Sequence, residues 1–326
     1  MMKRLVYIVL LLTGFLAESS AQQTPVYSQY MLNGFLMNPA MAGSEGYTAV
    51  NLTAREQWVG FQNAPSTYAL SFQTRIMRES HISRKNAIKR RKKSNFSGGN
   101  VGLGGYVFNH RNGAVDRTGV RLTYAYHIVL DESQLSFGLS MVGYQYRVDK
   151  DRVKLESPDT DALWMNLQQS VFIPDADAGI YYTSKEIWAG FSVDQLFESA
   201  LKFGDNGYDQ MVMDRNYHLM GGYDFIINKE FTISPSAHVK IAENGVVQAD
   251  ISGKVYYKQD FWGGLSYRTG HSLVLGGGVS VDRLVFGYAF DIGLNSIMKH
   301  SYGTHEFIVI AKLGDLSRRH RWLTRY

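Results

Sequence analysis

Leu135-Ser136-Phe137-Gly138-Leu139-Ser140-Met141 puts an apolar side chain at every second position and a small or polar one between. Successive side chains of a strand point to opposite faces, so this stretch reads as a strand with one apolar and one polar face. Phe231, Ile233, Ala237, Val239 and Ile241 repeat the pattern opposite Thr232, Ser234, Ser236, His238 and Lys240. Leu284, Phe286, Tyr288 and Phe290 do so opposite Val285, Gly287, Ala289 and Asp291. Working outward from these, the alternation predicts fourteen strands, near 47–56, 66–75, 99–111, 117–130, 134–147, 175–183, 187–193, 216–227, 231–242, 246–257, 261–268, 272–281, 284–291 and 303–313.

Alternation alone suits a soluble sandwich as well as a membrane barrel. Connection lengths separate the two. With the first strand rising from the periplasm, the turns at 131–133, 184–186, 228–230, 258–260 and 282–283 are short and periplasmic, while the long connections 148–174, 194–215 and 292–302 lie outside. Single-chain outer-membrane barrels show this asymmetry. The expected fold is therefore an all-β transmembrane antiparallel barrel over residues 47–313, with the basic segment 76–94 as a long exception on the periplasmic side.

The start of the chain agrees with export. Lys3 and Arg4 precede an apolar run from Leu5 to Ala17, and Ser19-Ser20-Ala21 offers small residues to a signal peptidase, so residues 1–21 read as a cleavable signal peptide. Past Ala21 no run approaches the roughly 20 apolar residues of a spanning helix, which leaves strands closed into a barrel as the means of crossing a bilayer. The 32 glycines, 21 tyrosines and 17 phenylalanines suit a barrel with aromatic girdles. The absence of cysteine excludes a disulfide scaffold and a thiolate metal site.

A barrel of about eight strands is just filled by its own side chains, so one of fourteen needs a further occupant or is a pore. Residues 22–46 carry Tyr27, Tyr30, Met31, Leu32, Phe35, Leu36 and Met37 and are too apolar to stand in water. They are expected to be tucked plug-like into the barrel or against its periplasmic mouth.

The net charge of +5 is unevenly spread: Arg75 to Lys93 holds nine basic residues against Glu79 alone. A block of like charge is first of all a solvated loop. Its functional reading is attraction of an acidic periplasmic partner by Arg84, Lys85, Lys89, Arg90, Arg91, Lys92 and Lys93. Arg318, Arg319 and Arg321 of the basic tail 314–326 would join them on the same side. Nucleic acid is not an expected partner outside the cytoplasm.

Nothing in the chain marks an enzyme or a cofactor site. The glycine run 98–105 opens a strand with no helix behind it to hold a phosphate, and reads instead as small residues under a close backbone neighbour. The nine histidines have no ligand spacing; His218 and His238 are expected to face the lumen or to hydrogen-bond across strands. No serine stands out as activated. No metal is expected.

Tyr27-Ser28-Gln29-Tyr30-Met31, then Asn38-Pro39-Ala40-Met41-Ala42-Gly43, then Arg55-Glu56-Gln57-Trp58-Val59-Gly60-Phe61, Ala64-Pro65 and Ser71-Phe72 occur in order. This succession resembles the PorP/SprF family of type IX secretion outer-membrane proteins, whose motif falls here on Tyr30, Asn38, Pro39, Ala40, Gly43, Gln57, Trp58, Gly60, Phe61 and Pro65. The resemblance implies a barrel of Bacteroidota embedded in outer-membrane lipids, serving secretion or surface attachment of proteins, gliding adhesins included. It also implies periplasmic contact with the lipoprotein ring of the secretion machine, and brings no catalytic residue. Trp58 and Phe61 fall in the first external connection, as interfacial anchors or partner contacts.

The expected function is thus that of a non-enzymatic barrel. Its outer loops, above all Asp149 to Pro174 and Asp194 to Arg215, would engage a secreted or surface-anchored protein, and its basic segments would dock to secretion components. A diffusion channel or small-molecule transporter is the rival that the architecture suits equally, and a lipid-modifying enzyme the more distant one.

Overall fold

A computed structural model describes residues 27–76, 100–152, 170–197, 200–202, 210–270, 272–294 and 301–313. The signal peptide 1–21, the basic residues 84–93 and the tail 314–326 lie outside the described residues. Among those described, fourteen antiparallel strands close into one barrel. In chain order they are β1 (Thr48–Glu56), β2 (Ser66–Ile76), β3 (Val101–Asn112), β4 (Val115–Val129), β5 (Ser133–Val148), β6 (Ser170–Ser184) and β7 (Ile187–Asp194). After a small separate hairpin of β8 (Ala200–Lys202) and β9 (Gln210–Val212) come β10 (Asn216–Tyr223) with its short continuation β11 (Phe225–Ile226), then β12 (Phe231–Ala242) and β13 (Val247–Tyr257). β14 (Phe261–Arg268), β15 (Ser272–Val281), β16 (Leu284–Gly293) and β17 (Thr304–Leu313) complete it. Consecutive barrel strands pair, β7 with β10 past the separate hairpin and β10 with β12, and β1 closes on β17 from Thr48 opposite Leu313 to Glu56 opposite His305.

The faces follow the alternation, but inside out relative to a soluble protein. On β5 the apolar Leu139 and Met141 are 64% and 78% exposed, whereas Ser140 between them is 3% exposed. Leu52, Leu70, Leu122, Leu219, Ile251 and Phe307 lie on the same outer surface. Apolar side chains on the outside of a closed sheet match hydrocarbon, and Tyr126, Tyr182, Phe231 and Tyr257 near the short-turn end supply interfacial aromatics.

Three local departures from the expected strands occur, and two of them trace to a proline. β6 begins at Ser170 rather than near 175, although Pro174 signals a break. The ladder with β7 begins only at Ala178, so Pro174 sits where one side of β6 is free of that neighbour and a missing N–H is tolerated. The strand expected over 216–227 is interrupted at Asp224, and the ladder to β12 skips the position opposite Pro235. Asp224 turns its amide to the Glu186 carbonyl instead. The connection 194–215 contains the β8–β9 pair, which the sequence pattern does not announce.

Candidate functional site

The strand ends that border 149–169, 195–215 and 294–303 share one end of the barrel, here called the long-loop end. Residues 27–46 lie among the inward-facing side chains, with Tyr30, Phe35, Leu36, Met37, Ala40 and Ala42 buried. The segment is short on regular structure: two single 3-10 turns, Gly34–Leu36 and Pro39–Met41, are its only helical pieces among the described residues. Asn38 caps the second, accepting a hydrogen bond from the Ala40 amide at 2.9 Å. Pro39 at the first helical position loses nothing by lacking an N–H.

Such a backbone must find partners on the barrel wall, and it does. The Asn38 side-chain amide donates to the carbonyls of Ile180 (3.0 Å) and Phe191 (3.3 Å), tying the turn to β6 and β7. Ser192 donates to the Met37 carbonyl at 2.7 Å, and His127 Nε2 to that of Ala42 at 3.0 Å. Tyr30 shares a 2.9 Å hydrogen bond with Ser236 and donates to Ser252 at 3.3 Å. Gly43 has φ +68°, and a Cβ there would lie 2.6 Å from the Thr74 carbonyl oxygen. Gly102 and Gly104 of the glycine run face Ala42 and Phe35, the close approach expected of them.

Nearer the long-loop end, ionisable side chains form a continuous belt across the lumen. Arg121 on β4 meets Asp177 on β6 at 2.7 Å and Asp194 at the end of β7 at 3.9 Å. Asp194 faces His218 on β10 at 3.5 Å, and His218 Nδ1 lies 3.1 Å from His238 Nε2 on β12, with the rings stacked at 8°. His238 faces Asp250 on β13 at 3.6 Å, and Asp250 holds Arg268 on β14 at 2.8 Å. Arg268 reaches Asp291 on β16 (3.4 Å), Asp291 meets Arg55 on β1 (2.8 Å), and Arg55 meets Glu306 on β17 (3.8 Å). The N-terminal segment is hydrogen-bonded to this belt: the amides of Ser28 and Gln29 donate to Glu306 at 2.7 and 2.9 Å, and the Ser28 hydroxyl to Asp291 at 2.6 Å.

Of the motif residues, Tyr30, Asn38, Pro39, Ala40 and Gly43 thus stand in the lumen, and the others lie in the connection 57–65 at the long-loop end. Gln57 donates its amide to the Pro65 carbonyl at 2.8 Å, and the Trp58 amide reaches Thr304 Oγ1 at 3.2 Å. Val59 exchanges backbone hydrogen bonds with Tyr302 and Gly303, so this connection is stapled to the one before β17. Gln57, Gly60 and Phe61 line a surface cavity of about 540 Å³ with Asn63, Asn109 and Arg111. The motif is therefore not one cluster: its first half anchors the segment inside and its second half shapes the mouth. The belt itself was missed from sequence, although a lone charge at an inward strand position, such as Arg121 between Val120 and Leu122, is a usable signal.

A closed sheet with an apolar, girdled exterior and a polar interior is a transmembrane β-barrel of the outer-membrane type. The family model described as "Type IX secretion system membrane protein PorP/SprF" matches residues 19–310, and the chain belongs to that family. Among solved structures it is similar to the toluene transporter TbuX of Ralstonia pickettii, at 11% identity and TM-score 0.49 over 86% of this chain and 92% of that one. The toluene transporter TodX of Pseudomonas putida is similar at 11% identity and TM-score 0.44, covering 89% and 94% of the two chains. The outer membrane protein Omp33 of Acinetobacter baumannii follows at 10% identity and TM-score 0.42, covering 83% and 98%. No curated protein matches the chain.

Proposed function

We propose that this type IX secretion barrel is a plugged, non-enzymatic scaffold in the outer membrane, reached after signal-peptide cleavage, that holds an exported or surface-anchored protein such as a gliding adhesin. The observation that carries the reading is the seating of residues 27–46 in the lumen: a pore has no use for a segment tied to β6, β7, β12, β13, β16 and β17 by hydrogen bonds that are buried or partly so. The long-loop end then faces outward and offers the partner surface, including the Phe61 cavity and the connections 149–169 and 195–215. In this reading the basic residues 84–93 and Arg318, Arg319 and Arg321 dock to an acidic periplasmic secretion component, the lipoprotein ring being the candidate.

Planar bilayers test the plug. The intact protein is expected to be silent, and a variant lacking residues 27–46 to conduct; steady large conductance by the intact protein would make it the diffusion channel instead. Removal of residues 84–93 is expected to weaken co-purification with periplasmic components while the barrel still assembles. Undiminished co-purification would remove the docking role.

A further inference from the structure

Beside the belt, on the side of the long-loop end, the lumen holds a partly open cavity of about 100 Å³. Leu36 and Met37 of the N-terminal segment border it, with Tyr106, Phe108 and Tyr144 as aromatic lining and Asp175, Asp177 and Asp194 as acidic lining. The rings stand in series, 5.8 Å from Tyr106 to Phe108 and 6.5 Å from Phe108 to Tyr144.

The three carboxylates are unequally served. Asp177 has Arg121 at 2.7 Å, and the Arg121 guanidinium also lies 4.8 Å over the Tyr106 ring, so that cation is committed. Asp175 is 3% exposed; one oxygen accepts from the amides of Ala176 (2.7 Å) and Phe197 (3.1 Å), but Oδ2 has no donor among the described residues. Asp194 turns Oδ2 towards His218 and Arg121, while its Oδ1 is buried without a donor as well. Arg117, the other cation of the lining, sits 5.3 Å over the Tyr146 ring.

Buried carboxylate oxygens without donors are unfavourable, and here they border a space that a ligand can enter. Unfilled acceptors together with aromatic faces are complementary to a group with positive charge and several N–H donors. We propose that this pocket binds an ammonium or guanidinium group, carried by a lysine or arginine side chain of a polypeptide entering the long-loop mouth or by a free small amine. The inference stands on the pocket's geometry and does not require the scaffold reading.

The test is calorimetric titration of the purified full-length barrel in detergent with acetyl-Gly-Arg-Gly-amide and, separately, with spermidine. Binding of either probe, weakened about tenfold or more by Asp175→Asn, is expected. Binding of the peptide alone assigns the site to a polypeptide side chain, and of spermidine alone to a small amine. Absence of binding by both at millimolar concentration, or equal binding by Asp175→Asn, overturns the proposal. Should Asp175→Asn lose the heat-modifiable folded form, Asp194→Asn is judged by the same criterion.

Discussion

Gly138 on β5 faces the peptide between Pro39 and Ala40 so closely that a Cβ on it would collide with the Ala40 nitrogen. Both neighbours are backbone, which cannot swing aside as a side chain can. Gly138→Ala is therefore expected to destabilise the barrel or unseat the turn, at about 1–3 kcal/mol as for other overpacked interiors. Gly253, with nothing within 4 Å of its Cβ position, is the control: Gly253→Ala should leave the unfolding midpoint almost unchanged. Equal midpoints for both variants in detergent would mean that the segment does not press on β5.

Arg55 is the cation between Asp291 and Glu306, and all three are at least nine-tenths buried. Replacing it with methionine keeps the bulk but leaves Glu306 without its cation and Asp291 with Arg268 alone. A loss of about 3–5 kcal/mol is expected, as when one partner of a buried pair is removed. Urea unfolding in lipid vesicles measures it, and Arg55→Met with Asp291→Asn should recover part of the loss.

Met141 lies near the middle of β5 on its outer face, next to the inward Ser140. Met141→Arg is expected to cost about 2–4 kcal/mol in vesicle folding, the value for a cation at the bilayer midplane. A folding equilibrium indifferent to that charge would show that this face does not meet hydrocarbon.

Asn38 makes contacts in two directions, capping its own turn and holding the carbonyls on β6 and β7. Asn38→Ala leaves the Ala40 amide and the Asn38 binding surface unfilled, at about 1–3 kcal/mol for the buried groups involved. Transient openings in single-channel recordings, absent from the parent protein, are the expected sign of a loosened segment.

Much of the barrel could be read locally. The face of Leu139 or Ser140 depends only on its parity within β5, and a turn such as Asp131-Glu132-Ser133 declares itself by its residues. What could not be read this way depended on neighbours across the sheet. Pro174 is harmless because β7 is short of it, and the break at Asp224 answers a proline eleven residues later on the facing strand. The motif around Asn38 and Pro39 reads locally as a turn; that the turn rests on Gly138 and Gly179 needs the wall beside it.

The amino-acid order by itself determined that strands would form and which side chains would share a face, because a period of two is a property of each strand alone, and the short and long connections in turn pointed the apolar face outward. The tertiary structure alone decided which inward groups meet. Arg55 and Asp291 are 236 residues apart and share a 2.8 Å contact only because β1 closes on β17 beside β16. Closure and register are set by the whole circumference of pairings, and the charge belt exists only once that circumference is complete.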